Sequence, residues 1–82
     1  FDFKLIPNPA SQQVTVELNF TNDDAVHFEI RNVLGAKIQD MVIDKGVKSL
    51  VFSVNHFEKG VYFVRVRKDG LTMNTKRLVI IK

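Results

Sequence analysis

The chain has 82 residues and no cysteine, so it has room for one small domain that folds without disulfides or a cysteine-based metal site. Its 12 basic and 9 acidic residues give a net charge of +3, which falls short of the dense positive surface that nucleic-acid binding requires. No apolar run approaches the roughly 18 residues of a membrane-spanning helix. Surface scaling predicts about 5,000 Å² of folded surface and no large internal cavity.

Apolar and polar residues alternate along most of the chain, which is the pattern of β-strands with one buried and one solvated face. The pattern predicts a short strand over 3–6, followed by strands over 14–20, 26–31, 37–43, 50–54, 62–67 and 71–81. Turn signals separate these strands at intervals of roughly 8 to 12 residues, and no stretch has helical spacing. The sequence therefore predicts an all-β fold: a small antiparallel immunoglobulin-like β-sandwich of about seven strands, of the Greek-key type.

Glycine and proline mark the predicted turns. Gly35 can adopt the positive φ of a tight turn, so we expect a hairpin between the third and fourth strands. Asp69-Gly70 is typical of a two-residue type I′ turn between the last two strands. The prolines of Pro7-Asn8-Pro9 remove two backbone donors, so this segment should end the first strand and carry the chain to the second sheet.

Gly60-Val61-Tyr62 precedes the clearest alternating strand. A tyrosine in this position has the layout of a tyrosine corner, in which the ring packs in the core and the hydroxyl bonds to upstream backbone. We therefore expect a structural role for the ring.

The residues that catalysis would need are not grouped in the sequence. His27 lies on an alternating strand, and His56 lies in a loop with Ser53 as the nearest hydroxyl but without a nucleophile-elbow pattern. Asn22-Asp23-Asp24 lacks the spaced oxygen ligands and the glycine of an EF-hand loop. We expect no catalytic, metal or cofactor site, no nucleic-acid partner, and therefore no enzyme.

Residues 76–82 form a run that is apolar on both strand faces and has basic residues at both ends. One interpretation is a central strand protected from aggregation by its flanking charges. The other is a terminal address recognised by export machinery.

Four short blocks in one order make the chain resemble the C-terminal sorting domains of proteins exported by the type IX (Por) secretion system of Bacteroidetes-type bacteria. The resemblance runs from Leu5 to Lys82, with Ile6 standing where the family frequently has an aromatic residue. The blocks are Pro7-Asn8-Pro9-Ala10-Ser11, Asn32 with Gly35, Gly60-Val61-Tyr62, and the basic and apolar end Lys76 to Lys82.

The resemblance implies a secretion signal without catalytic activity. Residues 1–82 would be one sorting domain at the end of a larger secreted protein. In such proteins the tail enters the periplasm with its upstream cargo domain and engages the outer-membrane translocon and an associated shuttle protein. A cysteine-protease sortase then removes the tail, here at or before Phe1, and the cargo is attached to the cell surface or released.

The family blocks also imply two groups of residues. The residues expected to take part in recognition by the translocon or the sortase are Gly60, Tyr62, Lys76, Arg77, Leu78, Val79, Ile80, Ile81 and Lys82. The residues expected to set the fold are Pro7, Asn8, Pro9, Asn32 and Gly35. A strand-shaped basic terminus offers backbone pairing and charge for recognition.

Two other functions fit a small sandwich. An immunoglobulin-like adhesion or carbohydrate-binding module needs an exposed aromatic platform, for which Phe57 and Phe63 are the candidates. A spacer in a multidomain surface protein predicts further chain after Lys82. Strand edges also make an edge-to-edge dimer an expectation.

Overall fold

The computed structural model describes all 82 residues. The chain forms seven strands, β1 (Phe3–Ile6), β2 (Gln13–Leu18), β3 (Val26–Asn32), β4 (Lys37–Ile43), β5 (Ser49–Ser53), β6 (Gly60–Lys68) and β7 (Leu71–Ile80). The predicted all-β class and strand number are confirmed. None of these elements is a helix with the length and hydropathy of a membrane span.

The strands form two antiparallel sheets, one in the order β1-β2-β5 and the other in the order β4-β3-β6-β7. Their inner faces enclose one core of 19 buried hydrophobic residues, so the predicted small β-sandwich is confirmed. The exposed surface of 4962 Å² agrees with the value that surface scaling predicts for a compact chain of this mass.

The alternation of the sequence determines which side chains enter the core. In β6, Tyr62, Val64 and Val66 are buried, whereas Phe63 and Arg65 between them lie on the outer face and are half-buried. Successive side chains of a strand point to opposite faces, so a period of two fills the core from one side of each sheet.

Both predicted hairpins are present. β3 pairs with β4 across a turn in which Gly35 has φ 86°, and β6 pairs with β7 across Asp69-Gly70. Asp69 and Gly70 have φ values of 53° and 78°, the two positive values that a type I′ turn requires.

The predicted crossing at Pro7-Asn8-Pro9 is wrong. The segment ends β1, but the chain returns as β2 in the same sheet, with Ile6 opposite Thr15. The reason is that β1 and β2 bury apolar side chains on the same inner face, so they pack best as neighbours. The 7–10 segment still touches the second sheet, because Ala10 forms an isolated bridge with Ile80.

The interpretation of the last strand as a central one is also wrong. β7 is an edge strand, because β6 has β3 on its other side. The core receives Leu78 and Ile80, while Val79 is half-buried and Ile81 remains 54% exposed.

Candidate functional site

Residues from all four sequence blocks lie at one end of the four-stranded sheet. Asn32, the last residue of β3, is opposite Tyr62 of β6, and Tyr62 is opposite Leu78 of β7. Asn8 lies beyond Leu78, where its side chain reaches the outer edge of β7. We call this region the motif end and define it by residues 7–10, 32–35, 60–62 and 77–82.

The 7–10 segment occupies the outer edge of β7. The Asn8 side chain donates from Nδ2 to the carbonyl of Arg77 (2.7 Å) and accepts at Oδ1 from the amide of Val79 (3.0 Å). The Ala10 amide donates to the Val79 carbonyl, and the Ile81 amide donates to the Ala10 carbonyl, both at 2.9 Å. Backbone groups that an edge strand leaves open are therefore already paired here.

Tyr62 forms the predicted tyrosine corner. Its side chain lies in the core, its ring centroid is 5.0 Å from that of Phe57, and its hydroxyl donates to the Glu58 carbonyl at 2.7 Å. Gly60, opposite Ile80, has φ 148°, a value that residues other than glycine rarely adopt. A β-carbon at this position would meet no atom within 4 Å. The glycine is needed for its backbone conformation rather than for space.

Asn32 organises the β3–β4 turn. Its Oδ1 accepts from the amides of Leu34 and Ala36, both at 3.0 Å. This turn holds Val33 and Leu34 in solvent, 67% and 90% exposed. The alternation of the strands does not mark these two residues, although two consecutive apolar residues in a turn are a usable signal.

A groove of about 330 Å³ separates this turn from the loop between β5 and β6. Leu34, Ile38 and Val61 provide part of its apolar lining, and Gly60 and Tyr62 also border it. The second and third sequence blocks therefore share one surface.

The basic residues of the last seven positions have different surroundings. Lys76 forms an ion pair with Asp2 (3.1 Å), and its Nζ lies 5.8 Å from the ring centroid of Phe3. The hydrogen bond and charge of Lys76 lower the pKa of Asp2. Lys82 donates to the carbonyl of Asn55, whereas Arg77 is exposed and has no ion pair.

Burial divides the expected recognition residues into two groups. Tyr62, Leu78 and Ile80 are buried, so they cannot touch a partner while the domain stays folded. Ile81 and the two basic residues Arg77 and Lys82 are exposed and open to contact.

The outer face of the four-stranded sheet contains a carboxylate, that of Glu29, which is buried although the alternating pattern predicted that it would be solvated. Glu29 is only 7% exposed, because Arg31, Arg65 and Arg67 lie over it at 3.1, 4.0 and 3.5 Å from its Oε1. Burial raises the pKa of Glu29, but the hydrogen bond and charge of Arg31 and the charges of Arg67 and Arg65 outweigh burial. The pKa of Glu29 therefore lies below its ordinary value.

The residues considered for other chemistry do not assemble into a site. His27 and His56 are exposed, and the Ser53 hydroxyl accepts from the Asn55 amide at 3.2 Å. No three His, Cys, Asp or Glu residues are grouped so that they could hold a metal ion. Phe57 is 3% exposed, so its proposed place in an aromatic binding platform is wrong.

Comparison with known proteins identifies the family of the chain. No curated protein matches it. The family described as the secretion system C-terminal sorting domain matches residues 4–82, almost the span from Leu5 to Lys82 over which the resemblance was noted. Such a domain is a C-terminal signal for type IX secretion, which implies recognition by the secretion machinery and export to the cell surface or extracellular space. The chain belongs to the type IX secretion system C-terminal sorting domain family.

Proposed function

We propose that this domain takes an upstream cargo domain from the periplasm through the outer-membrane type IX translocon, and that the exposed residues of the motif end are the recognised surface. The observation that carries the proposal is the convergence of the four family blocks in one row across the sheet, Asn32, Tyr62 and Leu78 with Asn8 at the edge.

Within this proposal the two groups of residues have different roles. The buried members, such as Tyr62 and Leu78, give the motif end its shape. The exposed Arg77, Ile81 and Lys82 supply charge and apolar contact to the translocon or its shuttle protein. Recognition through backbone pairing along residues 77–81 would first require displacement of the 7–10 segment, so side-chain contact is the simpler mode.

The proposal includes two later steps that the family resemblance implies. A cysteine-protease sortase removes the domain at or before Phe1, and the cargo is anchored at the cell surface or released. The domain itself has no catalytic role and needs no cofactor.

The strand order β1-β2-β5 against β4-β3-β6-β7 supports an immunoglobulin-like, Greek-key topology for the signal. A dimer of such domains would use the edge of β1, β4 or β5 in preference to the occupied edge of β7.

The test is a fusion of residues 1–82, behind a signal peptide, to a periplasmic reporter in a bacterium that contains type IX machinery. We expect the reporter to leave the periplasm, and the same reporter without the domain to remain there. Reporter that stays in the periplasm while the fused domain is folded, as judged by its resistance to proteolysis, contradicts the proposal.

A further inference from the structure

The arginines of this chain are clustered on one face of the sandwich. The chain contains four arginines, and all four project from the outer face of β3, β6 and β7. We call this surface, centred on Arg31, Arg65, Arg67 and Arg77, the arginine face. A guanidinium presents a planar fork of donors that matches a carboxylate or phosphate, whereas a lysine ammonium acts as a point charge.

The arginine face already contains one bound carboxylate, the side chain of Glu29 from the same chain. A single acid, Glu29, is shared by Arg31, Arg65 and Arg67, and Arg65 is the most distant of the three at 4.0 Å. Glu29 also lies opposite Arg65 in the pairing of β3 with β6. The second acid on this face, Asp40 of β4, lies opposite Glu29 and pairs with Lys37 at 2.8 Å. One carboxylate cannot neutralise three guanidinium groups, so positive charge remains on this part of the face.

The neighbouring row of the same face contains no acid of its own, although its Arg31 is one of the arginines that contact Glu29. Arg31, Phe63 and Arg77 lie directly opposite one another across β3, β6 and β7. Neighbouring strands are about 4.8 Å apart, so the two arginines are about 10 Å apart at their backbones, on either side of the ring. Phe63 is half-buried, Arg77 has no ion pair, and the Arg65 side chain is 37% exposed.

The spacing and the ring favour a particular class of ligand. A single small anion would touch few of these groups and would compete poorly with water, whereas a polymer with repeated negative charges can engage several guanidinium groups at once. The apolar face of a sugar ring can cover Phe63 while its carboxylate reaches Arg65 or Arg77. Single-stranded nucleic acid fits less well, because its binding uses successive aromatic platforms and this face has one.

We propose that the arginine face binds an acidic polysaccharide, with Arg65 and Arg77 pairing with carboxylates of the polymer and Phe63 packing against a sugar ring. Phe63 and Arg65 lie outside the motif end, whereas Arg77 belongs to both surfaces, so the arginine face extends the motif end along the sheet.

The experiment measures binding of the 82-residue chain to polygalacturonate by titration calorimetry, with neutral dextran and oligothymidylate as comparison polymers. We expect binding to polygalacturonate that weakens as salt rises, and none to dextran. The double variant Arg65→Gln/Arg77→Gln should lose at least about tenfold in affinity. Its control, Lys4→Gln/Lys45→Gln, removes the same charge away from the face and should stay within about twofold of the unaltered chain.

Phe63→Leu keeps an apolar side chain but removes the flat ring, and should weaken binding about threefold. It remains informative if the double arginine variant does not fold, which a thermal melt establishes. Equal loss in the arginine and lysine doubles would overturn the proposal, because attraction would then follow net charge alone. Absence of binding, or tighter binding to oligothymidylate than to polygalacturonate, would also overturn it.

Discussion

Tyr62 stabilises the domain through two separable contacts, its ring in the core and its hydroxyl on the Glu58 carbonyl at 2.7 Å. Removal of the hydroxyl in Tyr62→Phe should lower the free energy of unfolding by about 1 kcal/mol, the usual net value of one hydrogen bond. Removal of the ring in Tyr62→Ala should cost about 3 to 5 kcal/mol, because it leaves a cavity. Chemical denaturation of the three proteins measures both quantities.

Loss of less than about 1 kcal/mol in Tyr62→Ala would contradict a core role for the ring. Phe63→Ala serves as the matched control, since this neighbouring aromatic lies on the outer face and is half-buried. It should cost clearly less than Tyr62→Ala, because a partly exposed side chain loses less buried area.

Glu29 should make the stability of the domain depend on pH. The folded-state pKa of Glu29 lies below its ordinary value of 4.5, so its contribution is complete above that pH and is lost as pH falls through the folded-state pKa. Glu29→Gln should therefore lower the free energy of unfolding by about 1 to 2 kcal/mol at pH 7 and much less at acid pH. Denaturant melts of both proteins from pH 7 down to pH 3 measure the difference.

The control for this prediction is Glu17→Gln, an exposed acid of β2 without an ion pair. It should leave the pH dependence close to that of the unaltered chain. If the difference in the free energy of unfolding between Glu29→Gln and the unaltered chain stayed constant down to pH 3, the charge of Glu29 would contribute nothing to stability.

At the scale of elements, the 7–10 segment protects the edge of β7. Asn8 makes two of the hydrogen bonds to that edge, at 2.7 and 3.0 Å, so Asn8→Ala should cost about 1 to 2 kcal/mol in the free energy of unfolding. It should also free the Arg77 carbonyl and the Val79 amide for pairing with a second chain. Sedimentation equilibrium should then detect more dimer in the variant than in the unaltered chain.

Asn55→Ala provides the comparison, because Asn55 is an exposed loop residue whose side chain makes no hydrogen bond. It should change neither stability nor association measurably. Equal association of the Asn8 and Asn55 variants would mean that the 7–10 segment does not prevent pairing of β7 with a second chain.

The strands were predictable from the sequence, and their neighbours were not. Alternation places each side chain on one of two faces, and this local property identified the strands and both hairpins. It carries no information about which strands lie side by side, so a central position for β7 was one of two interpretations, although β7 is an edge strand. The Asn8 contacts to β7 join residues 69 and 71 positions apart, beyond the reach of any local pattern.

Glu29 shows a second limit. Its position in the alternation predicts exposure, and its side chain does lie on the outer face of the sheet. Burial comes from three arginine side chains on β3 and β6 that lie over the carboxylate. Long side chains cover neighbouring groups in ways that a pattern of polar and apolar letters does not describe.

At the scale of the whole molecule, the domain has two surfaces with different chemistry. The motif end combines exposed apolar residues such as Leu34 and Ile81 with the basic Lys82, and the arginine face extends along the outside of the same sheet. The order of the four blocks was visible in the sequence. Their meeting in one row was not, because it depends on the registers of β3, β6 and β7.

Recognition of the motif end by the secretion machinery can be tested by comparing two charge reversals. Lys82→Glu reverses a charge at the motif end, whereas Lys45→Glu makes the same reversal in the turn after β4, at the other end of the sheet. Each variant is fused to the periplasmic reporter, and its exported fraction and melting temperature are measured. We predict an exported fraction at least about tenfold lower for Lys82→Glu, near-normal export for Lys45→Glu, and equal melting temperatures. Equal export of the two variants at equal melting temperatures would show that the motif end is not the recognised surface.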